Sequence, residues 1–178
     1  MSRAALAHDM MLRQPASSED HVWLVELHND PLVLNNLTDP SPITLETHFD
    51  WWAGLRNRPS ERRYIFEIDG RRVGFTKFYS IDHVNKSCVL GADIHKDYRG
   101  KGLAKPMWTM MLDKAFNEWQ LHRVGLTTAE YNHVAQKVYR GLGFMVEGRL
   151  TRSLYRDGKF YDQVMMYMLK SDWEGGTP

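Results

Sequence analysis

The segment Asp97-Tyr98-Arg99-Gly100-Lys101-Gly102-Leu103-Ala104 carries the residue types and order best suited to holding an anion. Its glycines let a ligand approach the backbone closely. A helix beginning there would aim several unpaired amides and its positive end at one spot, an arrangement that suits a pyrophosphate. Arg99, Lys101 and Lys105 supply charge at the rim. Taken alone, the loop reads equally well as a tight turn with basic residues facing solvent. Downstream, Asn132 and Tyr139 lie two helical turns apart and project from one face of a helix. A tyrosine placed so is either packing with a satisfied hydroxyl or a proton donor.

Three other chemistries fail on spacing. A nucleoside-triphosphatase loop needs Ser or Thr after Gly-Lys, and here Gly102 follows Lys101. A dinucleotide fingerprint needs a small residue where Lys105 stands and an acidic residue closing the next strand, which Leu121 to Thr127 lacks. The histidines are scattered, and the single cysteine, Cys88, sits in a strand-like apolar segment, so no metal site, disulfide or reactive thiol is expected.

The elements that must position these residues follow from periodicity. Ser17-Ser18-Glu19 opens a first helix that Asn29-Asp30-Pro31 stops, and a second runs from Thr44 with Leu45, Phe49, Trp52 and Leu55 as its stripe, ending at Asn57 to Ser60. Tyr64 to Ile68 and Arg72 to Tyr79 flank Asp69-Gly70, a two-residue hairpin signal. A third strand, Cys88 to Ile94, leads into the glycine loop. The long helix Gly102 to Trp119 then presents two apolar rows, tolerating Pro106 in its first turn. Leu121 to Thr127 returns as a strand, implying a parallel crossover. A helix over Asn132 to Leu142 and a hairpin of Phe144 to Tyr155 and Lys159 to Leu169 around Asp157-Gly158 complete an α/β sheet covered by helices.

The 178 residues suffice for one domain, expected over 1–178 with short flexible tails, and no internal repeat or linker divides them. A net charge of +1 gives no long-range field for nucleic acid or an anionic membrane. The longest apolar run, Val164 to Leu169, is far below the ~18 residues of a membrane span. Within Met1 to Leu12, His8 and Asp9 occupy the place of a signal peptide's apolar stretch. A cytoplasmic protein is expected, with neither nucleic acid nor membrane as partner.

Arg99 through Ala104 fits the pattern Arg/Gln-x-x-Gly-x-Gly/Ala, and Asn132, Ala135, Tyr139, Gly143 and Phe144 follow in a second characteristic spacing. Both resemble the GNAT superfamily of N-acetyltransferases, as does the element order over nearly the whole chain. Glu147-Gly148-Arg149-Leu150 and Tyr155 to Asp162 are similar to the branch containing ribosomal-protein N-terminal, spermidine or diamine, and nucleotide-aminosugar acetyltransferases. The resemblance implies the acyl-CoA N-acetyltransferase fold: a mixed, centrally splayed α/β sheet of about six or seven strands flanked by about four helices. It implies acetyl-CoA as co-substrate, held by Arg99, Gly100, Lys101, Gly102, Leu103 and Ala104, by the backbone at Ala92, Asp93 and Ile94, and by Asn132, with Tyr139 as general acid. It implies no metal. A homodimer or larger homo-oligomer is also among the expectations.

Acetyl transfer to an amine requires a neutral nucleophile, donors aimed at the thioester carbonyl, and a proton for the departing thiolate. Gly91 is expected to mark a bulge where the third strand opens to admit the pantetheine arm. The base is not legible: Thr127 stands where many protein-acetylating relatives carry glutamate, leaving Asp93, Glu130 and His133 as candidates. Trp51, Trp52, Asp50, Glu46 and His48 are candidates for an acceptor pocket. A polyamine would use Asp30, Asp39, Glu46 and Asp50. A nucleotide-linked amino sugar would use Arg56, Arg58, Arg62 and Arg63, with Trp51 and Trp52 for stacking. The expected reaction is direct transfer to a primary amine of a small molecule, either a polyamine or an amino-sugar conjugate. The alternatives are acetylation of a protein N-terminus and a non-catalytic acyl-CoA sensor.

Overall fold

The computed structural model describes residues 8–175, so the expected tails lie outside the described residues. Seven strands form one sheet: β1 (Met10–Arg13), β2 (Arg62–Ile68), β3 (Arg71–Asp82), β4 (Ser87–Ile94), β5 (Arg123–Ala129), β6 (Met145–Arg156) and β7 (Lys159–Leu169). Their spatial order is β1-β2-β3-β4-β5-β7-β6. Among the described residues six α-helices accompany them: α1 (Ser18–His28), α2 (Pro31–Asn36), α3 (Leu45–Leu55), α4 (Ala104–Asp113), α5 (His133–Leu142) and α6 (Lys170–Glu174), with a 3-10 turn at Lys96–Tyr98.

Every pairing is antiparallel except β4 with β5, the crossover pair, and this pair is short. Ser87, Cys88 and Val89 pair with Arg123, Val124 and Gly125; beyond them β4 continues to Ile94 and β5 to Ala129 without meeting. The sheet is thus splayed at its centre. Both hairpins turn as expected, with positive φ at Asp69 and Gly70 and at Asp157 and Gly158.

Several boundaries differ from the sequence expectation. Asn29-Asp30-Pro31 ends α1 but also starts α2, because Asp30 accepts from the amides of Leu32 and Val33 and Pro31 occupies a first-turn position that needs no amide. Strand β1 is four residues long and helix α6 five, too short for periodicity to reveal. The long helix begins at Ala104 and changes at Lys114–Glu118 into a π-turn, with the Trp119 amide donating to the Lys114 carbonyl. Ala115 and Phe116 are fully buried there, and Trp119 meets Phe78 edge-on at 4.9 Å. Strand β5 starts two residues late because the Leu121 amide still bonds back to Ala115. Gly91 is not bulged: it pairs regularly with Lys77, while the irregularities fall at Phe66/Glu67 and between Tyr79 and Asp82.

The main core lies between the sheet and α4, where Met107, Trp108, Met111 and Leu112 pack on Phe66, Phe78 and Leu90. Gly74 permits this contact: a Cβ there would stand 2.8 Å from both the Asp93 carbonyl oxygen and Met107 Sδ. On the other face α1 is fastened by Asp20, which is 1% exposed and accepts from Arg13, Arg72 and the Ala16 amide. The Arg13 guanidinium, opposed by burial, holds this carboxyl far below the usual range. Cys88 is buried, and burial pushes its thiol up to about 12, which leaves it inert.

Candidate active site

The glycine loop is built for an occupant. Gly100 and Gly102 adopt φ of +73° and +74°, a conformation that side chains disfavour, and a Cβ at either would meet nothing within 4 Å. Helices α1, α2, α3 and α5 have their first-turn amides bonded by Ser17, Asp30, Thr44 and Asn132, whereas α4 has no side-chain cap. The free amides and positive end of α4 therefore face the loop, and the donor set fits a pyrophosphate. Of the basic residues expected at the loop, Arg99 lines the cleft beside it and Lys101 does not. Arg99 donates to the Ile94 carbonyl and to Asp30, at 2.9 and 2.8 Å, because the loop and the start of α2 each need a tether. Lys101 turns away, its ammonium 5.5 Å from the Tyr98 ring centre.

A 770 Å³ cleft runs from this loop into the splay, with Ala92, Asp93, Ile94, Asn132 and Tyr139 in its walls. The His95 amide donates to Val73 on β3, so by strand alternation the Asp93 amide also faces β3, while those of Ala92 and Ile94 face the gap. Of the three residues expected to contribute backbone here, two present donors and the third presents a side chain. Asn132 caps α5 through its Oδ1, which accepts from the Ala135 amide, so only its Nδ2 is free for a ligand. Tyr139 lies edge-on to Trp108 at 4.8 Å. Its hydroxyl has no partner among the described residues, and burial, reinforced by Asp93 and Tyr79, raises its pKa beyond the usual phenol range. It is a neutral donor at every physiological pH. Asn36 was not anticipated: it lines the cleft, and its buried Oδ1 has no partner.

On the face covered by α1 and α3 lies a second cavity of 410 Å³. Cross-strand register sets its floor, with Arg63 opposite Lys77 and Lys77 opposite Gly91 in one row, and Ile65 opposite Phe75 and Phe75 opposite Asp93 in the next. Lys77 reaches Asp93 at 2.6 Å. Asp93 is the one residue lining both cavities among the described residues. Of the expected acceptor set, His48, Trp51 and Arg63 line this cavity and Trp52 does not, packing instead on His21 and His48. Asp39, Glu46 and Asp50 are exposed elsewhere, and Asp30 is bound to Arg99. Opposed by burial, Arg99 and the α2 amides hold the Asp30 carboxyl below its usual range.

Among the candidate bases, Glu130 binds the Asp162 amide and Arg149, and lines neither cavity; His133 lines only the 770 Å³ cleft beside the glycine loop. Thr127 is exposed on β5. Sequence reasoning missed Lys77, Phe75, Thr47 and His28 in the second cavity. Strand alternation from the Asp69-Gly70 turn was the available signal for the first two. The cavity roof is held by Asn29, which exchanges two 2.8 Å hydrogen bonds with the Ile43 backbone, and by Arg156, which donates to the Leu37 and Asn35 carbonyls. Nothing local in the sequence announces these ties. Among the described residues no group of three His, Cys, Asp or Glu side chains could hold a metal ion, and no helix is long and apolar enough to cross a membrane.

Comparison with known proteins agrees with this geometry. The spermidine N(1)-acetyltransferase of Escherichia coli K12 is 29% identical over 175 residues, covering 97% of this chain and 93% of its own length. The putative ribosomal N-acetyltransferase YdaF of Bacillus subtilis is 33% identical over 107 residues, 60% of this chain and 58% of its own. The crystal structure of the Vibrio cholerae spermidine N-acetyltransferase with CoA and spermine superposes with a TM-score of 0.86 at 23% identity, covering 93% of this chain and 98% of that one. Residues 9–145 match the Acetyltransferase (GNAT) domain family. With the family's loop at an uncapped helix start beside a splayed sheet, the chain belongs to the GNAT acetyltransferases and is an acetyl-CoA-dependent N-acetyltransferase.

Proposed function

We propose that the acceptor is a primary amine of a small molecule and that it reacts in a ternary complex, without a covalent acetyl-enzyme. The observation that carries this reading is Asp93, shared by the coenzyme-side cleft and the α1/α3 cavity. The 410 Å³ cavity is of a size for a small ligand. The one cysteine, which a thioester relay would need, is buried in β4. The similarity to spermidine acetyltransferases supports the same class of acceptor.

The α4 amides with Gly100, Gly102, Leu103 and Ala104 would hold the pyrophosphate, while Asn132 Nδ2 and Asn36 Oδ1 would meet polar atoms of the coenzyme arm. Bound acetyl-CoA supplies an activated acetyl thioester. The Ala92 and Ile94 amides donate to the carbonyl oxygen as it gains charge, which is where preorganised dipoles lower a barrier most. A Lys-like amine is roughly one part in 2,500 neutral at pH 7, a penalty of about 4.6 kcal/mol. Asp93 sits where the acceptor ammonium enters and receives its proton, directly or through water. As the C–N bond forms and the C–S bond breaks, Tyr139 donates its hydroxyl hydrogen toward the departing sulfur, and the second proton lost by the attacking nitrogen returns through solvent so that CoA leaves as the thiol.

A cytoplasmic location and self-association go with this reading. Edge strand β6 exposes Met145, Val146, Leu150 and Tyr155, a surface on which a second copy would fit. Thiol release from acetyl-CoA with butylamine, spermidine, a nucleotide-linked amino sugar and a peptide with a free N-terminus tests the proposal. Turnover of at least one small amine is expected, and turnover of the peptide alone would refute it.

A further inference from the structure

The acceptor cavity has a charge pattern that the overall balance of the chain conceals. Arg63 and Lys77 stand directly opposite each other on β2 and β3, and both line the cavity. Like charges so placed destabilise a sheet. The single lining carboxylate, Asp93, is bound to Lys77. Arg63 is 9% exposed, and three of its five N–H groups have partners: the carbonyls of Arg62 and Phe78, and Glu61. Its Nε–H and one Nη2–H donate to nothing among the described residues. Arg63 Nε is not sealed from the cavity, so an acceptor there can reach it in place of water, and a charged acceptor gains most from a half-desolvated guanidinium. Its guanidinium carbon also lies 5.5 Å from the Trp51 ring centre, and that of Arg58 lies 5.3 Å from the same ring. The end of the cavity at Arg63 and Trp51 therefore holds two guanidinium groups against the single carboxylate of Glu61, and the end nearest the 770 Å³ cleft carries the Asp93–Lys77 pair.

Resting on the proposed small-amine reaction, we infer that the preferred acceptor is a primary amine that also carries an anionic group, a carboxylate or a phosphate. Its amine is received at Asp93, and its anion accepts from the unmet Arg63 donors; Arg58, stacked on the same Trp51 ring and paired with Glu61, adds charge from outside the lining. Planar guanidinium groups suit both anions. A polyamine would instead bring a second ammonium against Arg63. The carboxylates that could have balanced it, Asp39, Glu46 and Asp50, are exposed outside the cavity.

The test is steady-state acetylation of four amines of matched length: butylamine, 1,4-diaminobutane, 4-aminobutanoate and 3-aminopropyl phosphate. At least one anionic amine should exceed 1,4-diaminobutane in kcat/KM by tenfold or more, and the two anionic arms separate carboxylate from phosphate recognition. Arg63→Gln should reduce the ratio of anionic amine to butylamine at least fivefold, acting through KM. Because Arg63 also ties β2 to β3, Arg58→Gln, which removes the second cation on Trp51, serves as the second variant and should lower the same ratio. If 1,4-diaminobutane equals or exceeds both anionic amines, or if neither variant moves the ratio, the inference is overturned while the proposed reaction stands. If none of the four amines is acetylated the inference fails, and the reading beneath it fails with it only when spermidine and the nucleotide-linked amino sugar are inert as well.

Discussion

Replacing Gly74 with alanine tests whether the packing of β4 and α4 on β3 rests on one close backbone approach. The added Cβ would stand 2.8 Å from the Asp93 carbonyl oxygen and 2.8 Å from Met107 Sδ, closer than real Cβ contacts. The methionine can swing aside. The carbonyl cannot, because the Gly74–Ile94 and Phe75–Asp93 pairings fix it in the β3–β4 ladder. Overpacking of this kind costs about 1–3 kcal/mol, partly offset by the roughly 0.5–1 kcal/mol that alanine gains over glycine in regular structure. Gly91→Ala is the internal control. Its Cβ would meet Tyr79 and Lys77 side-chain atoms at 3.6–3.7 Å, ordinary contacts, so its stability should stay level or rise slightly. For a chain of 178 residues, about 2–4 °C of melting temperature accompanies each kcal/mol. At the centre of these ranges Gly74→Ala should therefore melt about 4 °C below the parent. Urea unfolding of the three proteins, with coincident circular dichroism and tryptophan fluorescence, gives the comparison. If Gly74→Ala is as stable as Gly91→Ala, the close approach of Asp93 to β3 is not a constraint and the argument fails.

Tyr139→Phe removes only the hydroxyl and should lower kcat about 100-fold with the acetyl-CoA KM little changed, whereas a value within twofold of the parent would reduce Tyr139 to packing. His48 contacts His21 at 3.0 Å, and burial, with His21, lowers its pKa from 6.5 to about 4. It folds neutral, so its contribution is complete above pH 6.5; as pH falls from there toward 4 the unfolded chain gains a proton that the native state refuses, removing up to about 3 kcal/mol. His48→Gln should flatten that slope in urea unfolding at pH 7, 6 and 5, and an unchanged slope would contradict the assignment. Asp20→Asn leaves Arg13 and Arg72 without their shared carboxylate and should cost about 3 kcal/mol in the same assay, a loss of under 1 kcal/mol showing that the network is dispensable.

The elements that hold the coenzyme-side chemistry were legible because each rests on a local rule. Gly100 and Gly102 require positive φ, Asp69-Gly70 and Asp157-Gly158 make two-residue turns, and the α4 rows follow helical period. These depend on neighbours in sequence, and the chain states them directly. What lies across the sheet was not legible, because it depends on register. A two-residue turn at Asp69-Gly70 pairs Ile68 with Arg71, which continued without interruption would set Arg63 opposite Thr76. The bulge after Phe66 moves the pairing by one, placing Arg63 opposite Lys77 and both cations on one cavity floor. Likewise Asp30 reads as an acidic candidate for the acceptor until folding brings Arg99 to it from 69 residues away. Residue types and local spacing marked a glycine loop at a helix start that suits an anion, and the resemblance of its motif to the GNAT superfamily named acetyl-CoA as that anion's source. Only the tertiary structure decided which charges face the acceptor, because a shift of one residue in a strand exchanges every side chain between the two faces of the sheet.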